Sequence, residues 1–93
     1  MIKSFSNDET EQLFLGQRPK KLSNQIHRVA LRKLLVLDAA DTLDDLRLPP
    51  GNHLEKLKGN RRGQHSIRIN DQWRICFIWQ EGHAHSVEIT DYH

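Results

Sequence analysis

The stretch His65-Ser66-Ile67-Arg68-Ile69-Asn70-Asp71-Gln72-Trp73-Arg74-Ile75-Cys76-Phe77-Ile78-Trp79 decides the fold. Two runs rich in β-branched and aromatic residues flank the turn signal Asn70-Asp71, which predicts an antiparallel hairpin. Side chains alternate between the faces of a sheet, and a one-residue slip would exchange those faces, so the apolar pattern selects the register. Pairing Ile69 with Trp73 and Ile67 with Ile75 gathers Ile67, Ile69, Trp73, Ile75, Phe77 and Trp79 on one face. Gln64, Ser66, Arg68, Arg74 and Cys76 then share the other, with Arg68 directly across from Arg74. Like charges so placed are unfavourable by roughly a few tenths of a kcal/mol or more. Two compensations are open: Glu88 and solvent, or a phosphate bridging the guanidinium forks.

Working outward, Ala84 to Tyr92 reads as the next strand and Leu54 to Lys58 as the preceding one. Aligning Val87 and Ile89 with Phe77 and Ile75 turns Glu88, Thr90 and Tyr92 toward the arginine face, Tyr92 diagonal to Arg74. Upstream, Ile26, Val29, Ala30, Leu34 and Leu37 recur at three- and four-residue steps, with Arg28, Arg32 and Lys33 between them, which predicts a helix from about Ser23 to Ala40. Ile2 to Phe5 reads as a short strand. Ser6 and Glu9 have capping-box spacing for a helix that carries Leu13 and Phe14 inward and stops near Gly16. Thr42 to Leu46 suits one more helical turn, and Pro49-Pro50-Gly51 ends it. The class is α+β: an N-terminal strand and two helices packed on a mostly antiparallel sheet.

At 93 residues, with 37% hydrophobic and 28% charged side chains, one domain (1–93) with a modest core is expected. The lone Cys76 forbids an internal disulfide framework and a Cys-Cys zinc spacing. No apolar run is long enough to span a membrane and the opening has no signal-peptide pattern, so a cytoplasmic protein without a membrane partner is expected. The net charge of +2 hides a local imbalance. Lys56, Lys58, Arg61, Arg62, Arg68 and Arg74 stand against the single acid Asp71 over residues 56–74, an anion-seeking segment.

Those cations support nucleic-acid binding against a simply solvated face; chemistry needs proton transfer as well. Asp91-Tyr92-His93 places a carboxylate, a phenol and an imidazole at the end of the strand beside the basic face. An RNA 2′-hydroxyl attacks its own phosphate when a base takes its proton, an acid serves the leaving 5′-oxygen and cations meet the developing charge, so no metal or cofactor is implied. His53 is an auxiliary acid or base candidate. His27 reads as structural, and His83-x-His85 as turn histidines lacking an assured third ligand. A noncatalytic RNA- or DNA-binding regulator using the same basic face is the alternative, and a metal-dependent hydrolase the weakest reading.

Pro49-Pro50-Gly51-Asn52, Leu57-Lys58-Gly59, Arg61, Gly63, Ser66-Ile67-Arg68-Ile69-Asn70, Gln72-Trp73-Arg74-Ile75 and Asp91-Tyr92-His93, in this order, resemble the HigB-type toxins, the plasmid maintenance killer branch of the RelE superfamily. The likeness extends to the opening Met1-Ile2-Lys3-Ser4-Phe5. It implies a RelE-like microbial RNase fold and a ribosome-dependent endoribonuclease that cuts mRNA in the decoding site. It also implies a HigA-type helix-turn-helix antitoxin that neutralises the toxin, with operator DNA engaged only through that complex. Carried over by position, the catalytic lysine falls on Lys58, the phosphate-contacting residues on Arg68 and Arg74, and the terminal acid, tyrosine and histidine on Asp91, Tyr92 and His93. Lys56, Arg61 and Arg62 would bind RNA or ribosome. Where some members place a catalytic histidine three residues before the lysine, this chain has Glu55, leaving either Glu55 or His53 as base.

Overall fold

A computed structural model describes residues 1–91. Helix α1 spans Asp8–Phe14 and α2 Asn24–Ala39, followed by 3-10 turns at Leu43–Arg47 and Pro50–Asn52. Strands β1 (Glu55–Lys56), β2 (His65–Arg68), β3 (Trp73–Gln80) and β4 (His83–Asp91) form one antiparallel sheet in the order β1-β2-β3-β4. A third 3-10 turn, Gly59–Arg61, lies in the β1–β2 connection. Among the described residues, no helix is long and apolar enough to cross a membrane.

The hairpin takes the register that its apolar pattern demands, with Ile67 opposite Ile75 and Arg68 opposite Arg74. Ile67, Ile75 and Phe77 are fully buried on the face that meets Ile26, Ala30, Leu34 and Leu37 of α2. Trp73 and Trp79 pack against the rim of this core. Lys33 departs from the expected polar side of α2. It is buried, for reasons that lie in the turn before β1.

Two further expectations are corrected. The strand predicted over 54–58 shrinks to Glu55–Lys56, because Leu57 already enters the tight connection, its N–H donating to the Gln64 carbonyl (2.9 Å). Helix α1 is capped by Asn7 rather than Ser6: the Asn7 side chain accepts from the Thr10 N–H (3.0 Å), while the Ser6 hydroxyl donates to the Ser86 carbonyl (3.0 Å).

That Ser6 contact explains how the chain start docks. On β4, Ile89 pairs with Ile75 as expected, but the ladder shifts between Cys76 and Ile78, where Ser86 adopts φ +52° as the extra residue of a bulge. A bulged residue loses its ladder partners. Here the Ser86 N–H donates to the Ser4 hydroxyl (2.9 Å) and its carbonyl accepts from Ser6. The expected N-terminal strand is thereby reduced to two parallel bridges, Ile2 with Ala84 and Phe5 with Val87. With the Ile89 N–H donating to the Thr10 hydroxyl (2.9 Å), these contacts cover an edge that would otherwise template pairing with other chains.

Asn7→Ala should lower unfolding stability by about 1 kcal/mol through the lost cap. Ser6→Ala should cost less than about half of that if Asn7 alone caps the helix, and urea titrations of the two variants measure the contrast.

Candidate functional site

The arginine face is a set of rows fixed by strand register. Glu55, Ser66, Cys76 and Glu88 form one row across β1 to β4, and Arg68, Arg74 and Thr90 the next. Glu88 and Thr90 thus face the arginines as their parity requires. Tyr92 and His93, expected beside them, lie outside the described residues. Asp91, opposite Trp73, closes this end of the sheet and accepts from the Gln72 side-chain amide (3.1 Å).

The two arginines do not share a fate, which corrects the expectation of a paired guanidinium surface. Arg68 is half-buried at the rim and bound to Asp71, three residues on in the hairpin turn. Arg74 is only 8% exposed. Its Nε–H donates to the Ser66 hydroxyl (2.7 Å) and its Nη2 to the carbonyls of Ser66 (3.3 Å) and His53. Those bonds cross from β3 over β2 to the turn before β1, because β1 is too short to cover this end of β2. The like-charge problem is therefore eased inside the protein, by Asp71 on one arginine and by backbone and hydroxyl oxygens on the other.

Glu88, one of the anticipated neutralising groups, serves Arg61 instead (2.6 Å), and the same guanidinium donates to the Gln64 side chain (3.0 Å). Arg61 thereby reaches from the β1–β2 connection across the sheet face. The remaining cations of the segment gather at the end of β1 and in that connection: Lys56, Lys58 and Arg62 line a hollow of about 410 Å³ with Leu57 and Gly59. Gly59 has φ +64°, a conformation that glycine adopts without steric cost and that helps bend the connection around the hollow. Among the described residues, no acid pairs with Lys56, Lys58 or Arg62. The hollow lies beyond the His65 end of β2, and Arg68 stands at the other end of that strand, about 10 Å from His65 along it.

His53 and Glu55, the two alternative bases, are both exposed, with His53 held in the left-handed region at φ +44°. Glu55 stands in the row of Ser66 and Glu88. Burial pushes the Cys76 thiol up, so it stays protonated near neutrality and is no nucleophile. Burial, and secondarily Lys56, pushes His65 down from 6.5. His27 is buried with its Nε2 on the Leu22 carbonyl (3.0 Å), a structural role. Among the described residues no cluster of three metal-ligating side chains occurs, so His83 and His85 gain no third ligand there. Residues missed from the sequence are Lys33 and Asn52, whose only signal was an interrupted apolar stripe and an asparagine after Pro-Pro-Gly.

A helix pair on a four-stranded antiparallel sheet, with a cationic hollow beside one sheet face, defines a small α+β domain. Residues 3–93 match the family described as RelE-like toxin of type II toxin-antitoxin system HigB. The chain is 41% identical over 85 residues to Toxin HigB-1 of Vibrio cholerae serotype O1, covering 90% of each. It is 33% identical over 94 residues to Endoribonuclease HigB of Proteus vulgaris, covering 100% of each. The fold superposes on a chain of the heterotetrameric YoeB-YefM toxin-antitoxin complex from Staphylococcus aureus with a TM-score of 0.60 at 18% identity, covering 100% of this chain and 98% of that one. The chain belongs to the HigB family of RelE-like toxins of type II toxin-antitoxin systems.

Arg74→Leu should cost about 3 kcal/mol, since it strands the Ser66 hydroxyl and removes charge-assisted bonds, whereas Arg68→Ala should cost under about 1 kcal/mol. Chemical denaturation of both variants tests the division of labour. The depressed His65 sets a pH dependence: as pH falls below 6.5 the unfolded chain takes up a proton before the folded one, so stability declines until the folded His65 is itself protonated. His65→Gln should flatten that decline when unfolding is measured from pH 7 to pH 5.

Proposed function

We propose that this protein is an endoribonuclease that cuts mRNA presented by the ribosome and is held inactive by an antitoxin. The observation that carries the reading is the convergence of Lys56, Lys58 and Arg62 on one hollow beside a sheet face crossed by Arg61. Cations without acidic partners at that spot attract a polyanion and stabilise charge that grows on a phosphate in the transition state. The name carried by the Proteus vulgaris relative supports RNA cleavage as the reaction.

In this reading Lys58 meets the scissile phosphate as the 2′-hydroxyl attacks the adjacent phosphorus and the 5′-oxygen departs. Glu55 or His53, both exposed, takes the 2′-proton. Asp91 or His93 assists proton transfer and Tyr92 stacks on or orients the nucleotide. Stacked nucleotides advance about 3.4 Å each, so the 10 Å or so along β2 spans about three of them. Arg68 would therefore hold a different phosphate from Lys58, and Lys56, Arg61 and Arg62 would bind neighbouring RNA or ribosomal backbone. Arg74, spent on Ser66 and His53, supports the site by holding its frame. The chemistry calls for no metal, because the nucleophile is internal to the substrate and protein cations meet the charge.

The toxin-antitoxin family and the antitoxin-bound YoeB neighbour support an antitoxin partner, which we take to be a HigA-type helix-turn-helix protein that carries the complex to operator DNA. A surface this small holds few nucleotides, which favours a substrate positioned by the ribosome over free RNA.

Translating ribosomes incubated with the protein should yield new mRNA 5′ ends, insensitive to chelator. Lys58→Ala should reduce their formation at least about 100-fold with the fold intact, and Arg68→Ala should weaken RNA engagement more than turnover. Unchanged mRNA ends at micromolar protein would rule out the mechanism. If binding persists without cleavage, a noncatalytic regulator remains.

A further inference from the structure

Lys33 is a buried lysine in the middle of the helix that covers the sheet, 8% exposed, on a residue type almost never fully buried without a partner. Its partner is Asn52, itself fully buried. The Lys33 ammonium donates to Asn52 Oδ1, and Asn52 Nδ2 donates to the carbonyls of Leu46 and Leu48 (both 3.2 Å). The Asn52 N–H donates to the Pro49 carbonyl (2.9 Å), so this one residue knots the segment 46–52 against α2. His53 follows in a left-handed conformation with its carbonyl on the Arg74 guanidinium. Beyond it the chain enters β1 and the connection that carries Lys58.

We propose that Lys33 and Asn52 act as a positioning pair for the proposed RNA site, pinning the 50–53 turn so that its His53 carbonyl orients Arg74 and its exit sets β1 and the Lys56–Lys58–Arg62 hollow. Neither residue touches RNA in this arrangement; both act through the turn. Burial pushes the Lys33 ammonium down from its ordinary range, and the cations Arg32 and Arg68 push it the same way. A neutral side chain of similar length would avoid that strain on α2 while losing the bond that fixes Asn52. The effect on cleavage rests on the nuclease reading; the effect on Arg74 does not.

The experiment compares the full chain with Lys33→Met. Hydrogen exchange at Arg74 Nε–H, followed by NMR, should quicken at least 10-fold while the Ile75 and Phe77 backbone amides keep their protection. On translating ribosomes kcat for mRNA cleavage should fall at least 10-fold with KM changed less than 2-fold. Unchanged Arg74 exchange in a folded Lys33→Met protein would overturn the proposal. If Lys33→Met does not fold, Asn52→Asp keeps an acceptor for the ammonium and removes the donors to Leu46 and Leu48, and the same Arg74 readout decides. A wild-type protein that cleaves no mRNA, with Arg74 released in the variant, would reject the nuclease reading while upholding the positioning pair.

Discussion

The buried guanidinium of Arg74 is the constraint around which the sheet face is organised. A cation removed from water needs its donors satisfied, and the side chain of Ser66 together with the carbonyls of Ser66 and His53 meets that need from two different parts of the chain. Strand β3 is thereby tied to β2 and to the turn before β1. That turn is knotted from its other side by Lys33 and Asn52, so α2 and the sheet are joined at the edge by polar groups as well as across the core by apolar ones. A two-residue β1 would be a weak strand alone; held at both ends by the turn and by its connection, it can carry cations in a fixed place.

The opposite edge is handled by different means. The bulge at Ser86 leaves an N–H and a carbonyl without ladder partners, and Ser4 and Ser6 supply them. The N-terminal segment is thus fastened to β4 through side chains that complete an irregularity, in addition to two bridges of ordinary sheet pairing. The result is a sheet whose β4 edge is covered by its own chain.

Charge follows the same division. Arg61 and Arg68 have internal partners in Glu88 and Asp71, while Lys56, Lys58 and Arg62 cluster around the hollow. Crowding like charges works against stability and serves an anionic ligand, a compromise common where function sets the composition. Membership of the HigB family and this local electrostatics point the same way, although one comes from similarity and the other from geometry.

The register of the hairpin was legible in the chain itself, because the alternation of Ile67, Ile69, Ile75 and Phe77 allows one pairing with a single buried face. The long helix was legible for the same reason, its apolar side chains recurring at helical spacing. The basic cluster could be read as composition, and its functional residues only through likeness to a family. What tertiary structure alone decided is which cations are spent within the protein and which face outward. Arg74 and Arg68 look equivalent on paper, yet the turn at His53 covers one and a neighbouring aspartate holds the other. The burial of Lys33, the exchange of Ser6 for Asn7 as cap and the bulge at Ser86 have the same origin. Each depends on a partner 3 to 82 residues away, and periodicity along a strand or helix carries no information about such partners.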